Sequence, residues 1–186
     1  KGTAFFAGTK YKSDDYTPYL FKTNDYGKTW TKITTGINNM HFTRAIRADR
    51  KVQGLLYAGT EFGMYISYND GASWKPFQLN LPIVPITDIA LKDNDLIVAT
   101  QGRSFWVIDD LTIVQQKSAA ILEKSLHVFP VNDSYRTEGG GRRRRGAVAT
   151  EPNAGANTPQ GTVINYHLKG VTDSAKLSIT VMDKKG

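Results

Sequence analysis

Two carboxylates a few ångströms apart can divide general acid and base work across a bond. The chain carries scattered pieces of such a site: the carboxylates Asp14, Asp15, Glu61 and Asp88, the phenol of Tyr11 and the guanidinium of Arg103. No spacing among them singles out a pair. The stretch Lys10-Tyr11-Lys12-Ser13-Asp14-Asp15-Tyr16 mixes rings and charges as a carbohydrate or peptide surface would, and reads equally as a polar surface insertion. Glu61-Phe62 sets a carboxylate beside a ring; a solvated glutamate next to a packed ring is the plainer alternative. Arg103, two residues after Gln101, suits an anionic group such as a carboxylate, or pairs with neighbouring structure.

Metal and cofactor chemistry find less. Asp93-Asn94-Asp95 opens like a calcium loop but lacks the following glycine and the distant glutamate, so a turn between strands explains it better. His41, His127 and His167 lie far apart and show no ligand spacing. Neither a metal nor a cofactor is expected. The absence of cysteine excludes a disulfide framework and thiol chemistry. No apolar run of about 18 residues spans a membrane. The net charge of +7 owes four charges to the run Arg142–Arg145, set among glycines. That run suits phosphate or sulfated glycan, a protease-sensitive joint or a solvated linker. It has no aromatic stacking platform beside it, so nucleic acid is not an expected partner.

The elements that must position these residues repeat. Thr23-Asn24-Asp25-Tyr26-Gly27-Lys28-Thr29-Trp30 and Ser67-Tyr68-Asn69-Asp70-Gly71-Ala72-Ser73-Trp74 share one turn signature, with tryptophans 44 residues apart. The acceptor side chain of Asp25 or Asn69 suits backbone N–H groups where the chain reverses. Gly27 and Gly71 permit a positive φ. Thr23 and Ser67 open each turn, and Thr29 and Ser73 bond it from the far side. Trp30 and Trp74 are expected to bury their rings beneath it. Short apolar strands ending in threonine precede each copy: 4–9 and 55–60, with a third at 96–100. Second strands follow at 19–23, 64–67 and 104–108, and upstream strands at 44–48 and 86–91. Each unit reads strand, turn, strand, loop, strand, signature turn, strand, the size of one β-propeller blade. The third unit has Asp109-Asp110 in place of the turn. A short helix is expected near 118–124, and a strand at 126–129. Residues 162–168 and 176–181 alternate like strands.

The turn signature resembles the Asp-box, or bacterial neuraminidase repeat, of sialidases, oligoxyloglucan-type hydrolases and sortilin-type propellers. The stretch Ala99-Thr100-Gln101-Gly102-Arg103-Ser104-Phe105-Trp106-Val107-Ile108-Asp109-Asp110-Leu111 is similar to the last blade of large exported proteins of Bacteroidota type. The resemblance implies an all-β fold: the last two to three blades of a propeller over 1–131, a Gly/Arg/Pro-rich linker over 132–161, and the start of an immunoglobulin-like β-sandwich over 162–186. Three units cannot close a ring. The remaining blades, from the same polypeptide or another chain, are therefore expected partners, and the chain is expected to be the C-terminal segment of a larger propeller.

The resemblance further implies that the Asp-box is structural and that ligands meet the opposite loops. This makes Tyr11, Asp14, Asp15, Glu61, Phe62, Gln101 and Arg103 the ligand-face candidates. The implied function is an exported module, secreted, periplasmic or on a bacterial cell surface, that binds a protein or a glycan. The alternative is a segment of an Asp-box glycoside hydrolase, sialidase- or xyloglucanase-like. A sialidase would want an arginine cluster with a tyrosine nucleophile and its glutamate, and part of any such catalysis would lie in other blades.

Overall fold

The computed structural model describes residues 2–134, 161–172 and 176–182. It divides into two compact units, 1–115 and 116–186.

The first unit is built from three antiparallel sheets in chain order. The first holds β1 (Ala4–Lys10), β2 (Asp15–Thr23) and β3 (Thr31–Lys32). The second holds β4 (Thr43–Ala48), β5 (Leu56–Thr60), β6 (Gly63–Ser67) and β7 (Lys75–Pro76). The third holds β8 (Ile86–Lys92), β9 (Asp95–Thr100) and β10 (Phe105–Ile108). Strands within each sheet follow one another as a meander, the pattern of propeller blades. β4 lies against β1 and β8, so the inner strands of successive sheets are neighbours.

Packing explains why the middle sheet reads as near-continuous apolar sequence. Every residue of β5 and β6 is buried. Leu56, Ala58 and Tyr65 face a core shared with Leu20, Ile33 and Trp74. Leu55, Tyr57, Met64 and Ile66 face a second core with Ile86, Ile89, Leu96 and Val98. A sheet covered on both faces needs apolar residues at consecutive positions rather than alternation.

The Gly-Thr pairs that close β1 and β5 mark where the next sheet comes close. Thr43, fully buried at the start of β4, accepts the Tyr19 N–H (3.0 Å) and donates to the Tyr19 carbonyl (2.8 Å). A side chain at Gly59 would meet Ile86 Cγ2 at 2.6 Å. Gly59 therefore admits the third sheet to the second, a close approach that only glycine allows.

Three expectations are corrected. The stretch Lys10 to Tyr16 is not a surface insertion ahead of a strand at 19–23: β2 begins at Asp15, and a single 3-10 turn over Tyr11–Ser13 closes the hairpin. Residues 176–182 form no strand, and in 162–168 only β12 (Tyr166–Leu168) is regular. The third sheet has no outer strand; α1 (Thr112–Gln116) follows it. Asp110 starts that helix, accepting the Thr112 N–H at 2.8 Å and the Asn94 amide at 2.5 Å.

In the second unit, α2 (Ala119–Leu122) sits within the expected helical stretch, and β11 (Leu126–Val128) pairs antiparallel with β12. The expected linker lies outside the described residues apart from 132–134 and 161, and Arg142–Arg145 lie wholly outside them. No helix among the described residues is long and apolar enough to cross a membrane.

Candidate functional site

One end of the sheets carries the two signature turns. In the first, Asp25 Oδ1 accepts the Thr29 N–H (2.9 Å) and the Thr23 hydroxyl (2.7 Å). Its Oδ2 accepts the Thr29 hydroxyl at 2.6 Å, and Thr23 Oγ1 accepts the Gly27 N–H at 3.0 Å. The Thr29 hydroxyl and N–H, with Thr23, hold the Asp25 carboxyl down at a pKa of about 2. The second turn repeats the geometry with a neutral group. Asn69 Oδ1 accepts Ser73 N–H and the Ser67 hydroxyl (both 2.9 Å), and Ser67 Oγ accepts the Gly71 N–H (3.0 Å). Here Asn69 Nδ2 donates to Ser73 Oγ (2.9 Å), reversing the donor seen at Thr29. These oxygens are consumed by the backbone they organise. Asp49, at the same end, is likewise occupied. Burial pushes its carboxyl up, but the N–H groups of Val52 and Lys51 with Gln115 and Tyr57 outweigh it, and the net shift is downward.

The tryptophans diverge. Trp74 is 3 % exposed and donates its indole N–H to the Ile33 carbonyl of the preceding sheet at 2.7 Å. Trp30, expected to be buried, is 46 % exposed. Its N–H reaches the Gly27 carbonyl (3.2 Å) and its ring meets Phe6 edge-on at 6.5 Å. The turn is local, whereas burial of the ring needs a neighbouring sheet.

The opposite end gathers aromatic rings around one ion pair. Arg44 stands in the irregular step between Thr43 and Ala45 of β4. An extra residue there re-aims the side chain. Its guanidinium reaches Glu61 Oε2 at 2.6–2.7 Å and lies 5.1 Å from the Phe42 ring centroid and 5.8 Å from that of Tyr11. Tyr11 stacks on Phe42 (5.1 Å, 19°) with Tyr16 tilted beside it. The Glu61 N–H bonds the Phe42 carbonyl (3.0 Å), clamping the β5–β6 turn to the start of β4. Phe62 stacks on His41 (4.7 Å), whose Nδ1 meets the Tyr65 hydroxyl at 2.9 Å. Burial pushes the His41 imidazole below its ordinary pKa. Tyr11 and Phe62 keep 38 % and 45 % of their surface exposed.

Three sequence candidates, Tyr11, Glu61 and Phe62, thus share one cluster. Asp14 occupies the left-handed turn position (φ 58°) beside it. Asp15 turns to its own hairpin: it accepts the Tyr19 hydroxyl (2.6 Å) and the Thr17 N–H (3.0 Å) and faces Lys10 at 3.5 Å. The Tyr19 bond above all depresses its carboxyl pKa and raises that of the Tyr19 phenol. Gln101 and Arg103 lie apart from the cluster, in the turn between β9 and β10, where their backbone N–H groups donate to the Pro85 carbonyl and the Thr100 hydroxyl. Asp88 is paired with Arg47 at 2.7 Å. The cluster's central residues, Phe42 and Arg44, escaped sequence reasoning. A strand-opening arginine carries no motif, and the irregular step that aims it has no sequence mark.

No family model matches the chain and no curated protein matches it. Solved structures do. An ancestral GH74 enzyme is 22% identical over 55% of this chain and 12% of its own, with a TM-score of 0.44. The GH74 xyloglucanase from Xanthomonas campestris is 15% identical over 53% of this chain and 16% of its own, with a TM-score of 0.39. The chain therefore spans less than a fifth of either enzyme's length.

Proposed function

We propose that this chain is part of an exported β-propeller that binds a glycan or a protein through the loops opposite the signature turns. The observation that carries the reading is the Tyr11–Phe42–Arg44–Glu61–Phe62 cluster, with two part-exposed rings beside a fixed guanidinium–carboxylate pair. Flat ring faces take the apolar faces of sugars or aromatic side chains. The paired charges offer directional donors and acceptors without an uncompensated charge. Binding suits the cluster better than hydrolysis does, because Glu61 is engaged by Arg44 and Asp15 by Tyr19, and neither carboxylate faces the other as one of a catalytic pair. The exposed Trp30 face fits the same reading, as a surface for a further blade in the way the first sheet covers Trp74.

An oligosaccharide array probed with the labelled chain tests the proposal, followed by calorimetry on any hit. Tyr11→Ala and Phe62→Ala are each expected to weaken binding about tenfold, at about 1–1.5 kcal/mol per lost ring contact. An array without hits, with capture of a defined protein lost in the same variants, moves the reading to a protein ligand. Glycan cleavage by the full-length protein that is lost in Glu61→Gln and Asp14→Asn supports the hydrolase alternative instead.

A further inference from the structure

We infer that the second unit carries a site for one divalent transition-metal ion, formed by the imidazoles of His127 and His167. The sequence places these residues 40 apart, but the pairing of β11 with β12 sets them directly opposite one another. The flanking bonds fix the kind of pair they make. Phe129 N–H bonds the Asn165 carbonyl (2.9 Å), and Lys169 N–H bonds the Ser125 carbonyl (3.0 Å). Antiparallel ladders alternate with period two, so His127 and His167 occupy a hydrogen-bonded pair, with Cα atoms about 5.5 Å apart and side chains on the same face.

The second observation is chemical. Among the described residues, His127 Nε2 and His167 Nε2 are the two buried side-chain polar atoms without a hydrogen-bond partner. Buried polar atoms in folded proteins are nearly always satisfied, so two orphans on facing residues call for a shared occupant. In the Nδ1–H tautomer each Nε2 presents a lone pair, the form in which imidazole binds metals. On a tetrahedral zinc ion with bonds of about 2.0–2.1 Å, two such nitrogens stand about 3.4 Å apart, a span within reach of facing side chains. Phe129, 6 % exposed, meets the His127 ring edge-on at 4.8 Å and limits its rotation. The positive charge of Lys169 is already met by Glu123, its ion-pair partner. Two imidazoles favour zinc, copper or nickel over magnesium or calcium, and leave the remaining coordination positions to water or another ligand.

The test is calorimetric titration of the whole, chelator-treated chain with zinc chloride, and with magnesium chloride as a control. One zinc ion per chain is expected, and no magnesium. His127→Ala and His167→Ala should each weaken zinc binding at least about tenfold, as loss of a ligand does. His41→Ala, in the other unit, should leave it unchanged. His127→Gln and His167→Gln repeat the test should an alanine variant fail to fold. Imidazole nitrogen NMR gives an independent readout, with zinc shifting the Nε2 resonances of both residues. Absence of zinc binding up to about 1 mM, or binding that both pairs of variants leave intact, overturns the proposal.

Discussion

The two signature turns have nearly the same hydrogen bonds and opposite surroundings. Asp25 and Asn69 each accept the N–H four residues on through an equivalent oxygen at 2.9 Å, although one is charged and the other is not. Gly27 and Gly71 have the same φ of 87°. Yet Trp74 is sealed against Ile33 while Trp30 is half open. The turn is therefore set by its own eight residues, and the energetic weight of its tryptophan by whatever sheet stands beside it. A signature read along the chain reports the first and is silent on the second.

The largest expected break in this comparison comes from the tryptophans. Trp74→Ala removes a buried ring and orphans the Ile33 carbonyl, at a cost of about 3–5 kcal/mol. Trp30→Ala should cost about 1 kcal/mol, because much of that ring already meets water. Chemical denaturation of the two variants measures the difference. Equal losses would show that the ring acts through its own turn and not through the neighbouring sheet.

The glycines come next. Alanine at either position meets the same backbone strain, of about 1–2 kcal/mol. At Gly71 the new Cβ would also stand 2.6 Å from Ile33 Cδ1, whereas at Gly27 it meets only the edge of Trp30 at 3.9 Å. Gly71→Ala should therefore lower the melting temperature more than Gly27→Ala, by an additional overpacking cost of about 1–3 kcal/mol.

The smallest effect is the charge itself. Asp25 titrates lower in the folded chain, at about 2, than the ordinary carboxylate value of about 3.9. A depressed folded-state pKa contributes stability that is present above about pH 4 and lost as pH falls towards 2. Melting temperatures measured across that window should fall less steeply for Asp25→Asn than for the parent chain. Asn69→Asp should make the fall steeper. An unchanged slope in Asp25→Asn would mean that its turn bonds do not depend on ionisation.

How much of this was legible in the sequence follows the same division. The strands of the three sheets appear at or within a few residues of their expected places, because apolar runs and turn residues are local signals. Trp30 misled for the opposite reason: burial is a property of neighbours. Residues 176–181 alternate as a strand would but form none, since alternation without a pairing partner carries no ladder. At the candidate site, Tyr11, Glu61 and Phe62 stood out as rings and charges in loops. Arg44 and Phe42, which join them, lie where one sheet's first strand meets another sheet's hairpin, and only tertiary packing brings them there. His127 and His167 were likewise separated by sequence and joined by strand register.

The signature turns build the sheets, and the proposed binding surface lies in the opposite loops. The most direct test of that division is one oligosaccharide array probed with three chains: the parent, Asp25→Ala, and the double variant Tyr11→Ala/Phe62→Ala. All three are held below the melting temperature of the least stable. Asp25→Ala is expected to reproduce the parent's pattern, while the double variant loses it with its melting temperature nearly unchanged. A double variant that keeps the parent's pattern, or an Asp25→Ala chain that remains folded and loses it, would show that binding does not divide from the turns in this way.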